Sequence, residues 1–462
     1  MFSKLIGWVL SAVIFLRSLF YIKLRAAADV LVGALLLGML WRFRGSHGWG
    51  AAWGVLACGF GFVLFLTAVI GANKRVSFAL LSVTAFSFML TTPSWGTFLS
   101  GVTGIQSLSA KGSDAVTQAI VYPASAIALM LCLGFGMVAV FSVLLGKCFG
   151  GKAWRLRDFA IVLLVFYVVT VLMQATASHG LFRLLQPESV RVFADDLQAK
   201  GVQTSVFRTY LAHFGNIDWA KKYVGGRHYF AAIETISRAA AAAAVLLSVR
   251  FIVKDKQAAR TGAVVCGAFA FAITAADVFF FLDGGGVRGA QGLALPDWIA
   301  AWSTWEYGTG FLAGGLITAY VRRLSVTTDV TLPQRVSPKL QNVLSYVLFF
   351  IAGLGVNIVR PMLVRMERSP LQIVGVIASV LVVIGFSVLL CRRWGAMLEA
   401  APSDRLAAAL IAFLGGYYLL LYLFAYEPQV DELRMLHNIL VLISYVGVTA
   451  WCMRRLICPK DL

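Results

Sequence analysis

Charge is scarce in this chain. Only 13% of its 462 residues are Asp, Glu, Lys or Arg, about half the share of ordinary soluble domains. Sixty per cent are hydrophobic, and the mean hydropathy is +0.83. That composition excludes a soluble globular class. The period-2 alternation of a membrane β-barrel is also missing, while apolar runs of roughly 17–25 residues recur, long enough to cross a ~30 Å hydrocarbon core as helices.

Chemical signatures are equally thin. There is no HExxH and no GxSxG, so zinc-protease and serine-hydrolase readings have no motif. The early outer acidic pair expected of lipid-linked-sugar glycosyltransferases is not found, nor are the zinc-site patterns of membrane proteases. Asp283-Gly284-Gly285-Gly286 has backbone freedom but lacks the GxxxxGK[ST] frame of a phosphate loop. The seven cysteines fall in apolar spans or near the inner side, which argues against a disulfide framework and a CxxC metal site. No metal site is expected, and no cofactor or oligomeric state can be named from sequence. Acids are outnumbered, with Lys+Arg 40 against Asp+Glu 21 and a net charge of +19. Because no basic-aromatic module accompanies that excess, basic cytoplasmic loops explain it better than nucleic acid does.

What is present is a succession of apolar segments at approximately 5–22, 26–41, 50–70, 76–93, 116–145, 158–177, 229–253, 261–282, 300–321, 340–360, 371–391, 405–424 and 436–453. They predict an all-α polytopic integral membrane protein with about 12–13 transmembrane helices. Lys4, Ser11, Ser18 and Arg25 recur every seven residues, so the first segment, within 1–25, either spans or lies along the interface as a retained helix. Residues 26–177 form an N-terminal set of spans and 229–462 a C-terminal set. Between them, 178–228 reads as an outer insertion of amphipathic helices: Pro187 opens a helix through Glu188–Lys200, Gly201 ends it, and Phe207, Tyr210, Leu211 and Phe214 form an apolar face on the next segment. That insertion serves as a lid or as a structural cap. Segment 94–115, rich in Gly, Ser and Thr, is either a surface loop or a re-entrant segment beside a watery cavity.

Basic clusters at Lys147/Lys152/Arg155/Arg157, Arg250/Lys254/Lys256/Arg260, Arg322/Arg323/Arg335/Lys339, Arg392/Arg393 and Arg454/Arg455 fall on alternate loops. The positive-inside rule makes those loops cytoplasmic, with the C-terminus inside, and implies a bacterial cytoplasmic membrane. All five histidines, and tryptophans including Trp41, Trp49, Trp95, Trp219 and Trp305, then lie toward the outer face. A simple aromatic belt would populate both interfaces.

The densest motif is Trp41-Arg42-Phe43-Arg44-Gly45-Ser46-His47-Gly48-Trp49-Gly50. In one reading Arg42 and Arg44 snorkel to headgroups, and Trp41 and Trp49 anchor the helix. In the other, the arginines hold a phosphate or carboxylate, Trp49 stacks on a ring and His47 transfers a proton. Trp95 and Trp305-Glu306 are placed at the same depth. Glu306 is either favoured by the helix dipole or poised to accept a proton. Arg360, with Arg365 and Arg368, forms an outer basic patch of the kind that marks anionic ligands. Within the spans, Glu234 and Arg238 share a helix face at i, i+4, and Asp277 lies near the outer end of the next span. A network of these three either fixes packing or lines a substrate or proton path. The second span (Asp29, Gly33, Gly38, Arg42, Arg44) and the ninth (Glu306, Gly310, Gly315, Arg322, Arg323) run in opposite directions and suggest an inverted repeat, although their acid-to-arginine spacings differ.

Three functions follow as expectations. The first is a secondary transporter of a polar or anionic solute, proton- or ion-coupled, with an outward Trp/His/Arg entrance and Glu234, Arg238 and Asp277 along its path. The second is an outer-face transferase or polymerase acting on a lipid-linked or glycan substrate, with His47 or Glu306 as general base. The third is a noncatalytic assembly subunit. Membrane lipids are partners in every case.

Overall fold

The computed structural model describes residues 24–42, 52–70, 80–81, 84–85, 87–88, 123–150, 152, 154–214, 216–277, 301–324 and 435–457. Among them every regular element is a helix. Among the described residues four helices are long and apolar enough to cross a membrane, or five if one bent pair counts as a single span. The protein is thus an α-helical integral membrane protein. The expected first segment 5–22, the segment 94–115, and the spans 76–93 (in large part), 340–360, 371–391 and 405–424 lie outside the described residues.

The helices, numbered in chain order, begin with α1 (Leu24–Arg42) and α2 (Ala52–Val69). Next come α3 (Pro123–Met137) and α4 (Ala139–Cys148), which meet at a bend of 46°. The single span expected over 116–145 is therefore broken. Val138 leaves helical geometry at φ −114° and ψ 13°, just after Gly134 and Gly136, whose low helix propensity makes this turn easy to bend. Both glycines are also places of close approach. A methyl group on Gly134 would lie 2.5 Å from the Ala270 Cα, and one on Gly136 would lie 2.8 Å from the Ala239 backbone nitrogen. Two residues apart on a helix point to opposite sides, so α3 is wedged between the two helices that carry these contacts.

Those helices are α10 (Gly226–Ser248) and α11 (Lys256–Ala276). The chain leaves α10 through a π-helical turn, Val249–Val253, then reverses at Lys254, whose φ of 63° is left-handed. Asp255 starts α11 by accepting the Ala258 N–H at 2.9 Å, the usual work of an N-cap side chain. The same carboxylate accepts the Trp154 indole N–H at 2.8 Å, Lys152 donates to the Val253 carbonyl at 2.9 Å, and Gln257 donates to that of Phe149 at 2.9 Å. Two of the basic loops are thereby stitched together at one end of the molecule.

At the opposite end, α5 (Leu156–Ala175) hands the chain to a cap of α6 (Ala177–Leu185), α7 (Pro187–Ala199), α8 (Val206–Ala212) and α9 (Ile217–Ala220). The helix expected to open at Pro187 is found, ending at Lys200 and a left-handed Gly201, φ +79°. The cap has its own aromatic core: Phe182, Phe193, Tyr210, Tyr229 and Phe230 pack with Leu197, Ala220 and Ile233. The expected apolar face of 207–214 is divided. Val206, Thr209 and Tyr210 face inward, whereas Leu211 and Phe214 are about two-fifths exposed. Helix α8 is too short to carry a continuous stripe through Phe214. Along α5, Leu164, Val168, Val171 and Leu172 are exposed at helical spacing, an apolar stripe suited to lipid.

The last two described helices are α12 (Ala301–Val321) and α13 (Met435–Ile457). Helix α12 runs antiparallel to α1 through the interior, and the two touch backbone to backbone. A methyl group on Gly310 would collide with the Leu37 carbonyl oxygen, and one on Gly314 with that of Gly33. Gly33 is filled from the other side by Thr318, and Gly38 by Tyr307 and Phe311. Small residues at such spacing let membrane helices approach closely. On α13, Ile439, Leu442, Ile443 and Val446 form another exposed apolar stripe.

Candidate functional site

The close packing of α1 on α12 aligns ionisable residues at both ends of the pair. Arg42 Nη1 donates to Glu306 Oε2 at 3.3 Å, with side chains only 7% and 2% exposed. Arg322 Nη1 donates to Asp29 Oδ2, and the Trp451 indole donates to Asp29 Oδ1 at 2.9 Å. Asp29 thus joins α1, the residue following α12, and α13. A buried charge is tolerated when paired and hydrogen-bonded, and both pairs meet that condition.

Local symmetry accompanies the pairing. Asp29, Gly33 and Gly38 repeat the spacing of Glu306, Gly310 and Gly315. The contacts repeat as well: Gly33 meets Gly314 and Thr318 as Gly310 meets Leu37 and Trp41, and Gly38 meets Tyr307 and Phe311 as Gly315 meets Val30 and Ala34. A local two-fold axis therefore passes between the helices near Gly33, Leu37, Gly310 and Gly314. It exchanges Asp29 with Glu306 and so the two ion pairs, while the arginines sit at different distances from their acids and reach the equivalent partners through their long side chains.

Between the ion pairs lie hydroxyl groups. The Tyr307 and Ser444 hydroxyls are 2.8 Å apart, Thr318 donates to the Gly314 carbonyl at 2.7 Å, and Thr261 and Tyr320 approach at 3.4 Å. At the Arg42 end, the Trp305 indole donates to the Ile273 carbonyl at 3.3 Å. That same carbonyl accepts the backbone N–H of Asp277. Asp277, 4% exposed, therefore ends α11 at the level of Trp305 and Glu306.

The expected ion pair of α10 is formed, with Arg238 Nη2 and Glu234 Oε1 at 2.7 Å. Arg238 also lies over the Phe166 ring at 5.8 Å. This pair is on one flank of α3, and the helix carrying Asp277 is on the other. Above it, polar groups gather where the cap meets α10. His179 Nδ1 hydrogen-bonds the Tyr229 hydroxyl, the His179 ring stacks on Phe207, the hydroxyls of Ser178 and Ser237 are 2.7 Å apart, and His228 Nε2 meets Gln186 Oε1 at 2.7 Å. Burial, aided by nearby Arg183, pushes the His179 pKa below the ordinary histidine value. Burial first, and Glu234 second, push the Tyr210 phenol upward.

These placements change how several sequence-level expectations read. Trp41 is not an interfacial anchor: it is fully buried, stacked near Phe88 and tilted on Phe269. Arg42 does not snorkel to headgroups, because Glu306 holds it in the interior. The two-residue stretch suits either setting, and the choice depends on whether α12 lies beside it. Arg44, His47, Trp49, Trp95 and Arg360 lie outside the described residues. Sequence reasoning did not assign roles to Trp451, Tyr307 or His179. The repeated acid-glycine-glycine spacing was the available signal for Tyr307, since it singles out α1 and α12 as partners; nothing in the sequence ties Trp451, on α13, to Asp29. Among the described residues no group of three or more His, Cys, Asp or Glu is arranged to hold a metal ion.

No known family model, curated protein or solved structure matches this chain.

Proposed function

We propose that the protein is a secondary transporter of a polar or anionic solute, coupled to protons or another ion. One observation carries the reading: α12 presents polar contacts along its whole length inside an apolar bundle, from Glu306 with Arg42 to Arg322 with Asp29. Ionisable residues at membrane depth are expensive and usually mark pathways for substrates, ions or protons. An outer-face enzyme needs such groups at one end only. The two-fold contact of antiparallel helices is the local geometry of inverted-repeat transporters, in which one half rocks against the other. In this reading the Arg42 end faces out, as does the cap, and the basic loops face the cytoplasm of a bacterial cell.

A second reading, an outer transferase on a lipid-linked or glycan substrate, draws support from the cap. Its His179–Tyr229 hydrogen bond lies near Tyr210 and Glu234 on one side of the protein only. Reconstitution into proteoliposomes separates the two. Saturable, protein-dependent uptake of a monocarboxylate, phosphate, amino acid or sugar is expected under the transport reading. No flux with any of these, together with turnover of a lipid-linked glycan in the same vesicles, would reverse the ranking.

A further inference from the structure

We propose that the end of the α10–α11 hairpin binds an anionic phospholipid, with the headgroup phosphate among Arg250, Lys254, Lys256 and Arg260 and the acyl chains along the exposed faces of the two helices. The inference is independent of whether the protein transports or catalyses. It needs only that α10 and α11 cross a membrane, for which both are long and apolar enough.

Each helix carries an exposed stripe that leads into this end. On α10, Ala243, Leu247 and Phe251 are exposed at i, i+4 and i+8, with Ile252 beside the last. Phe251 is 66% exposed and Ile252 60%, and apolar side chains so bare at the end of a span are suited to lipid. On α11, Lys256, Arg260, Ala263, Gly267 and Phe271 are exposed along one face. The two stripes are fixed in depth by a close contact, since a methyl group on Gly262 would lie 2.7 Å from the Leu246 Cδ2. Leu247 and Ala263 follow these two residues and sit at one level. Arg250, Lys254, Lys256 and Arg260 all lie beyond it, toward the turn. Apolar faces that end in exposed cations match the boundary between acyl chains and headgroups.

Charge decides the kind of headgroup. Asp158 and Asp255 are the acids of segments 147–160 and 249–260, and both are buried. Asp158 accepts the Arg155 backbone N–H at 2.8 Å and lies 3.6 Å from the Arg157 guanidinium. Asp255 is engaged by Ala258 and Trp154, and the buried Lys147 acts on it electrostatically. Among the described residues no carboxylate is paired with Arg250, Lys254, Lys256 or Arg260. The Lys152–Val253 and Trp154–Asp255 hydrogen bonds bring a second basic loop to the same place, so the exposed Lys152 and Arg155 add to this surface. Lys254 turns the chain with a left-handed φ of 63°, which glycine adopts more easily; the lysine supplies charge there, not geometry. Lys and Arg clustered at a membrane surface attract anionic headgroups. A phospholipid complements both the cations and the apolar faces, whereas a soluble phosphate complements the cations alone.

The test uses the full chain in phosphatidylcholine liposomes doped with a photoreactive phospholipid whose azide lies on the acyl chain near the glycerol. Phosphatidylglycerol carries the azide in one arm and phosphatidylcholine in the other, and labelled peptides are mapped by mass spectrometry. Labelling of residues 243–271 is expected to favour phosphatidylglycerol about fivefold. The exposed stripe of α5 through Leu164 and Leu172 is expected to take up both lipids equally, as the internal control. Arg250→Gln/Lys254→Gln/Lys256→Gln/Arg260→Gln is expected to bring the two arms level at the hairpin with phosphatidylcholine labelling unchanged, and Arg250→Lys/Arg260→Lys to keep the preference. Addition of about 0.5 M NaCl is expected to weaken the preference of the unmodified protein, a reading that needs no variant. Equal labelling of the hairpin by both lipids in the unmodified protein overturns the proposal, as does a preference that survives the fourfold substitution. Displacement of the label by soluble glycerol phosphate would assign the cations to a free phosphate and overturn the lipid assignment; none is expected.

Discussion

Asp29 and Arg322, separated by 293 residues in the chain, form an ion pair at the end of the α1–α12 contact opposite Arg42 and Glu306, and Trp451 donates to the same Asp29 carboxylate. Three helices depend on one carboxylate there. Removing one partner of a buried pair costs about 3–5 kcal/mol because the other charge is stranded. Arg322→Gln is therefore expected to lower the thermal unfolding midpoint in detergent markedly. Asp29→Asn/Arg322→Gln is expected to be the more stable of the two variants, since it strands no charge. Equal destabilisation by both would show that the pair's charge has no role in holding the helices.

A packed glycine on α12 and an open one on α11 are expected to respond oppositely to alanine. Gly310→Ala drives a methyl into the Leu37 carbonyl and is expected to cost about 1–3 kcal/mol, as overpacking usually does. Gly267, on the exposed side of α11, has nothing within 4 Å. Gly267→Ala is expected to be neutral or to stabilise by about 0.5–1 kcal/mol, the gain in helix propensity. Thermal unfolding of both variants beside the unmodified protein measures the contrast.

Cap stability is expected to depend on pH through His179. Its folded-state pKa is depressed from 6.5 by burial and by Arg183, so the folded cap prefers the neutral ring. The contribution is fully present above the unfolded value and is lost as pH falls from about 6.5 through the lower folded value. Hydrogen-exchange protection across residues 177–225, taken relative to the intrinsic rate at each pH, is expected to fall on acidification over that window. His179→Phe, which preserves an aromatic ring against Phe207, is expected to flatten the profile.

Asp255 is expected to stabilise the end of the bundle where the basic loops meet. It caps α11 through Ala258 and accepts from Trp154. Loss of an N-cap side chain costs about 1–2 kcal/mol, and Asp255→Ala also takes away the acceptor for the Trp154 indole. Asp255→Asn, whose single acceptor oxygen can serve only one of these two donors, is expected to fall between Asp255→Ala and the unmodified protein. Thermal midpoints and the tryptophan emission maximum report the two effects separately.

Much of the fold was legible where one helix suffices to explain it. Pro187 and Gly201 mark the ends of α7 because they act on the backbone at their own positions, and Glu234 and Arg238 pair because i, i+4 places them on one face. The break at Val138 was missed because hydropathy continues smoothly through it, and the bend comes from glycines pressed against α10 and α11. The face of 207–214 was over-extended because periodicity gives direction around a helix but does not say where the helix stops.

By itself, the sequence determined that this is a helical membrane protein, because long apolar runs with few charges have no other stable arrangement across lipid. It also determined that the second and ninth apolar segments carry acids, glycines and arginines in matching order. Only the tertiary structure decided that these helices touch, that Arg42 pairs with Glu306 and Asp29 with Arg322, and that Trp41 lies inside the protein. Helical periodicity encodes which side chains share a face. Which helix lies against that face depends on how all of them pack, and an arginine at a span end suits a lipid headgroup or a buried carboxylate until that neighbour is in place.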